Sequence, residues 1–332
     1  MRKTQLYPLK FDPIYQYRLW GGRRLSNLLS KPLPADEPIG EAWILSDRAD
    51  HASTVTEGPL KGQTLTHIIK HYPNELMGKW TGHFKRFPLL LKFLDCKEVL
   101  SVQVHPSDHQ HEYIPKGDRG KTEAWVVLET AKHARIYTGL KTGTNKQNLS
   151  EAIADHKVAD KLHSFVPHVN DGIFIKSGTV HTLGGTVVFE VQENSDVTFR
   201  LYDWDRVDAK TGKPRELQVN KALACIDYHQ TEIGAVKPVA VIDGEGGIKQ
   251  RYFNNQHFIL WRIKSKKPFK VGKNNEPHIL VCLAGSGHIE FEANAYHLSK
   301  GEVMLVPAVS GKCNFTPVGE TTILEIGIHE SK

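Results

Sequence analysis

From Pro88 onward, apolar and polar residues alternate in short runs that are rich in β-branched side chains and broken by Gly, Pro and Asp. Strand side chains alternate between two faces, so such runs predict strands. They fall at Leu89–Leu94, Ser101–His105, Ala124–Leu128, Ala134–Tyr137, Gly172–Ile175, Thr186–Glu193 and Thr198–Leu201. The last third repeats the theme at His257–Ile263, His278–Ala284, Gly287–Phe291, Glu302–Val306 and Thr321–Ile326. Before Pro88 the signals are loop and helix, with helices predicted at Arg23–Leu29, Leu65–His71 and Asn74–Trp80, the last behind Pro73. Further helices are predicted over Lys146–His156, continuing through Val158–Phe165, and over Gln218–Asp227.

Regular short strands with frequent turn residues predict a mainly β chain of barrels or sandwiches rather than a doubly wound sheet. Gly244-Glu245-Gly246-Gly247 reads as a connection between a larger unit, residues 1–243, and a smaller one, residues 248–332. Composition refines this picture only modestly. The chain has 332 residues, 39% hydrophobic and 24% charged, and its net charge of +6 is a small excess of 43 basic over 37 acidic residues. That margin suits an anionic small molecule, and without a Lys/Arg run it gives no footprint for nucleic acid. The opening Met1–Gln5 develops no apolar core, and stretches such as Phe87–Leu94 are too short to span a bilayer. Cys96, Cys225, Cys282 and Cys313 lack CxxC spacing and are expected to be buried free thiols, as in a cytoplasmic protein.

Ser101-Val102-Gln103-Val104-His105-Pro106 carries the clearest chemistry. On a strand, Gln103 and His105 share one face, offering an amide oxygen and an imidazole nitrogen, while Val102 and Val104 face the packing layer. Lys121-Thr122-Glu123-Ala124-Trp125 brings a carboxylate into an apolar strand, and His181 follows the turn residue Gly178. Together Gln103, His105, Glu123 and His181 supply two nitrogen and two oxygen donors, a set suited to one Zn²⁺ per chain. Taken singly, each has a plainer reading: a hydrogen-bonded Gln/His pair, an edge-strand salt bridge, a structural His. His109 and His111 offer the same imidazole chemistry, within a segment, Asp108–Glu112, that reads as a solvated loop or short helix.

These segments resemble the type I phosphomannose isomerases, a cupin-fold family. The likeness rests on Ser101–Pro106, Lys121–Glu123, Gly178–His181 and Asn194-Ser195-Asp196 with Arg200. It extends to Trp20-Gly21-Gly22, Pro38–Trp43 and Leu201-Tyr202-Asp203. The resemblance implies two cupin-like jelly-roll barrels and Gln103, His105, Glu123 and His181 as zinc ligands, with Lys121 and Arg200 close to the reacting carbons. It also implies interconversion of mannose 6-phosphate and fructose 6-phosphate through a cis-enediol. Leu283–Gly287 and Lys300–Pro307 look cupin-like too, but no His follows Pro307, so the C-terminal barrel is expected to be metal-free and structural.

In that scheme Arg200 stabilises oxyanion charge, because a guanidinium does not deprotonate. Lys121 qualifies as the base if metal and burial lower its pKa, with Glu190 and Asp196 as alternatives. Ser101, Lys92 and Arg200 are expected at the phosphate. On its own Lys121 reads as a solvated surface lysine and Lys92 as a snorkelling one. Two other classes are compatible with the barrel: another metal-dependent cupin enzyme such as a dioxygenase, and a phosphosugar-binding barrel without turnover. A Gln ligand beside Lys and Arg fits phosphosugar chemistry better than redox-active iron.

Overall fold

A computed structural model describes residues 5–34, 36–241 and 247–329. Its first nine-stranded sheet curls around a cavity. The strands that matter for the site are β1 (Ile14–Gly22), β2 (Ile39–Leu45), β3 (Leu89–Cys96), β4 (Val102–Val104), β5 (Glu123–Leu140), β6 (Gly172–Ile175), β7 (His181–Glu193) and β8 (Phe199–Tyr202). They run in the order β6-β5-β7-β3-β1-β2, with β4 beside β7 and β8 beside β4. The second sheet holds β9 (Phe258–Ser265), β10 (His278–Phe291), β11 (Val303–Val306) and β12 (Cys313–Ile328). Its edge is the short N-terminal strand Leu9–Lys10, paired with β11.

Alternation explains how one sheet serves two cores. On β3, Leu89, Leu91 and Phe93 face a core shared by the two barrels, while Leu94 and Cys96 pack within the first. The shared core joins Val187, Phe189 and Val191 of β7 to Ile279 and Val281 of β10 and Leu324 and Ile326 of β12. Ile263, Leu280, Ile289, Met304, Phe315 and Ile323 fill the second barrel. At roughly 25 cal/mol per Å² of apolar area, these interiors are the main favourable term of folding.

The mainly β prediction is met, with local differences. The helix starting at Lys146 has its Asn145 capping box and stops at Ala154, where His156 takes a left-handed φ of 58°. The expected continuation through Phe165 is instead a single 3₁₀ turn, Val158–Lys161, and a strand, Leu162–Phe165, that pairs with β5. Runs read separately at Ala124–Leu128 and Ala134–Tyr137 belong to one 18-residue strand. Strands β1 and β2 arise where only loop and helix were expected. All four cysteines are free and buried. Gly244, Glu245 and Gly246 of the expected connection lie outside the described residues. No helix among the described residues is long and apolar enough to cross a membrane.

Candidate functional site

Strand register assembles the site. Across neighbouring strands, Arg200, Gln103 and His181 are directly opposite one another. A second row runs Trp43, Lys92, Glu190, Trp125. Nine residues separate His181 from Glu190, an odd spacing that on a regular strand points them to opposite faces. The register breaks between Gly184 and Thr186, with Gly185 at φ 70°, and this bulge restores both side chains to the inner face.

His105, Glu123 and His181 are fully buried, and their ligand atoms lie within 4.8 Å of one another. His105 Nδ1 donates to the Val197 carbonyl at 2.8 Å and His181 Nδ1 to the Thr179 carbonyl at 2.9 Å, so both Nε2 lone pairs face inward. Each Nε2 is 3.4 Å from a Glu123 oxygen, and His105 Nε2 and Glu123 Oε1 have no hydrogen-bond partner. Orphaned buried acceptors at such spacing fit a cation. Burial, reinforced by Lys121, pushes the His105 imidazole down to about 3, and burial lowers His181 as well, keeping both in the neutral form that ligates. Burial would raise Glu123, yet the Lys121 ammonium holds it well below the ordinary carboxylate range. The Gln103 amide stands 3.1 Å from His181 Nε2, and a half-turn presents its oxygen to the cluster. These residues fit zinc. His109 and His111 are exposed, and His109 lines a different cavity.

Beside this cluster is a cavity of about 420 Å³, lined among others by Lys92, Ser101, Gln103, Lys121, Glu190, Asp196 and Arg200. Lys121 is 4% exposed and sits 2.8 Å from Glu123 Oε2, which disposes of the solvated-lysine reading. Burial opposes its charge, but Glu123 and Glu190 outweigh burial and hold its pKa above the ordinary lysine value. Of the protein groups alone, these neighbours favour an ammonium at Lys121, and the lowered pKa expected of a basic Lys121 would have to come from the metal. Glu190 goes the other way: burial, with Glu123 nearby, raises its pKa, while Trp125 Nε1 donates to its Oε2 at 3.0 Å.

Lys92, 3% exposed, is shared by three carboxylates, at 3.4 Å from Glu190 and 3.8 Å from both Glu41 and Asp196. Arg200 Nε donates to Ser101 Oγ at 3.1 Å, and no carboxylate pairs with it among the ion pairs of the described residues. Burial and the adjacent Arg215 lower its pKa, a sign of surplus positive charge that an anion would neutralise. Sequence reasoning missed Arg18, Tyr17, Asp208 and Arg215 in the cavity wall. Arg18 pairs in bidentate fashion with Glu41, at 3.0 and 3.1 Å. The signal available was the motif around Trp20 and Glu41, noted for its resemblance but not for its side chains.

A curled antiparallel barrel with a buried His/Glu/His cluster beside a charged cavity defines a cupin-like barrel whose donor set is compatible with a metal ion. Residues 8–123 match the family model of the phosphomannose isomerase type I catalytic domain. The chain is similar to a probable mannose-6-phosphate isomerase of Bacillus subtilis, 32% identical over 325 residues, covering 93% of this chain and 98% of the relative. A mannose-6-phosphate isomerase of the same organism is 33% identical, with 90% and 93% covered. The crystal structure of the mannose 6-phosphate isomerase from Bacillus subtilis superposes with a TM-score of 0.88 at 28% identity, covering 97% of this chain and 99% of that one. The chain belongs to the type I phosphomannose isomerase family.

Proposed function

We propose that the chain interconverts mannose 6-phosphate and fructose 6-phosphate, using one zinc ion held by Gln103, His105, Glu123 and His181. The observation that carries this reading is the buried donor set, with its orphaned His105 Nε2 and Glu123 Oε1, next to a polar cavity of hexose size. Zinc bound there supplies a Lewis acid that polarises or orients the sugar oxygens. Glu190 takes the proton from C2 of the open-chain sugar and returns it to C1 while the O2 hydroxyl proton passes to O1 across the cis-enediol, a role suited to a buried carboxyl whose pKa is raised. Lys121, kept as an ammonium, and Arg200 stabilise the negative charge that develops on the enediol oxygens. Ser101, Lys92 and Asp196 bind substrate, with Ser101 and Arg200 nearest the phosphate. Lys92 acts chiefly by holding Glu41, Glu190 and Asp196 in place.

In this reading residues 1–243 form the catalytic unit and residues 248–332 a metal-free structural unit. The catalytic and donor residues lie on strands of the first sheet or within two residues of their ends, which supports that division. The partner is a metabolite rather than a nucleic acid, and the free cysteines suit the cytoplasm. A coupled isomerase assay on chelated protein, before and after zinc is added back, tests the proposal. Zinc should restore turnover from near zero. Tight binding of mannose 6-phosphate by zinc-loaded, folded protein with no exchange of its C2 proton would replace the enzyme reading with a binding one.

A further inference from the structure

The C-terminal end of β7 carries a second buried carboxyl that the chemistry above does not use. Glu193 is 2% exposed. Its Oε2 accepts the Thr122 amide at 2.9 Å, and its own amide donates to the Thr122 carbonyl at 3.1 Å. Its Oε1 is 2.9 Å from Arg119 Nη2. Ser195 Oγ donates to the Arg119 carbonyl at 2.8 Å, so residues 193–195 grip both ends of the 119–122 segment. That segment holds Lys121 and leads directly into Glu123. From the other barrel, His257 Nδ1 stands 3.3 Å from Glu193 Oε1, one residue before β9. Two cavities, of about 160 and 640 Å³, share Glu193, Gln256 and His257 as walls.

We propose that Glu193 is a positioning residue for the isomerase reaction, clamping the 119–122 backbone so that Lys121 and Glu123 stand correctly, with His257 of the C-terminal barrel packed against the clamp. The inference rests on the roles proposed for Lys121 and Glu123. Thr122 needs only an acceptor, which a carboxyl supplies in either protonation state, whereas the Arg119 pair reaches full strength only when Glu193 is ionised. Burial pushes Glu193 up to about 7, against Arg119, which Asp108 shares at 3.3 Å. The other ionisable groups facing it are His257, held neutral because burial brings it down to about 4, and His329 across the smaller cavity. His109, Lys176 and Asp227 line the larger cavity. The clamp therefore tightens as pH rises through about 7.

Three variants test this on the zinc-loaded full chain. Glu193→Gln keeps the acceptor for Thr122 but loses the charge. Its kcat should fall roughly fivefold to twentyfold at pH 8, a loss of about 1–2 kcal/mol in barrier terms. KM and zinc content should stay near the parent's, and the rise in kcat between pH 6 and 8 should flatten. His257→Ala should shift the midpoint of that rise without removing it. A Glu193→Gln enzyme with the parent's kcat and pH profile overturns the proposal. Hydrogen exchange at the Thr122 amide gives a readout independent of turnover: Glu193→Ala should cost at least tenfold in protection. Unchanged protection refutes the clamp even if the parent chain proves inactive, an outcome that by itself would sink the isomerase reading instead.

Discussion

The two barrels differ at their centres: both hold apolar clusters, and one adds a row of buried charges. Leu280, Ile289, Met304, Phe315 and Ile323 occupy the C-terminal one, all fully buried. In the N-terminal one Glu41, Lys92, Lys121, Glu123 and Glu190 are no more than 8% exposed, and they alternate in sign from Arg18 at the wall to Glu123 at the metal-compatible cluster. Burying charge costs several kcal/mol per ion, which pairing at best offsets. Around that charged row the first barrel keeps apolar clusters of its own, one with Trp20, Leu94, Ile136 and Leu183 and another with Val102, Val104, Leu149 and Leu201, besides the layer it shares with its neighbour.

The largest effect expected from this contrast is at Lys121. Lys121→Met removes the cation between Glu123 and Glu190, leaving their charges without the partner that holds Glu123 ionised. Turnover should fall by about three orders of magnitude, roughly 4 kcal/mol of barrier, with zinc still bound. Steady-state kinetics and metal analysis on the same sample check it. Activity within a few-fold of the parent would show that the charged row is architectural.

The complementary change is Phe315→Ala in the filled barrel. Truncating a fully buried phenylalanine should cost about 3–5 kcal/mol of unfolding free energy, read by urea denaturation. KM and zinc content should stay near the parent's at a temperature where the protein is folded. A proportionate loss of zinc affinity would mean that the metal cluster feels the C-terminal core directly, and the division of labour between barrels would fail.

The same contrast explains what the sequence could convey. Gln103 and His105 were legible because two residues on one strand share a face by period alone. Strands β1 and β2 escaped notice because they line a charged cavity: Arg18 and Glu41 take the inward positions where a strand pattern would show apolar side chains. The common facing of His181 and Glu190 depends on one bulge at Gly185, which no periodicity announces. Glu193 ends an apolar run and looks solvent-bound until Thr122, Arg119 and His257 arrive from distant segments. In 158–165 the error runs the other way: Val158, Leu162 and Phe165 have helical spacing, but pairing with β5 wins.

The filled barrel is not wholly apolar, and its exception yields the smallest of these effects. Glu325 is fully buried on β12, 3.4 Å from His278 Nδ1 and 3.2 Å from Lys249 Nζ, and it accepts the Gly272 amide at 2.7 Å. Burial alone would raise its pKa, but His278, Lys249 and that amide bring it down to about 2, as Arg18 and Lys92 do for Glu41. A carboxylate with a depressed folded-state pKa lends stability that is complete above its unfolded value, near 4.5, and is lost as pH falls toward 2. Glu325→Gln should therefore lower the unfolding free energy by roughly 1–3 kcal/mol at pH 7 and by almost nothing near pH 2, and Glu41→Gln should behave alike. Urea midpoints at several pH values read both. Matching curves would locate the difference between the barrels in the number of buried charges rather than in how each is held. A Glu41→Gln protein as stable as its parent at pH 7 would instead mean that Arg18 and Lys92 already cost as much to bury as their pairing with Glu41 returns.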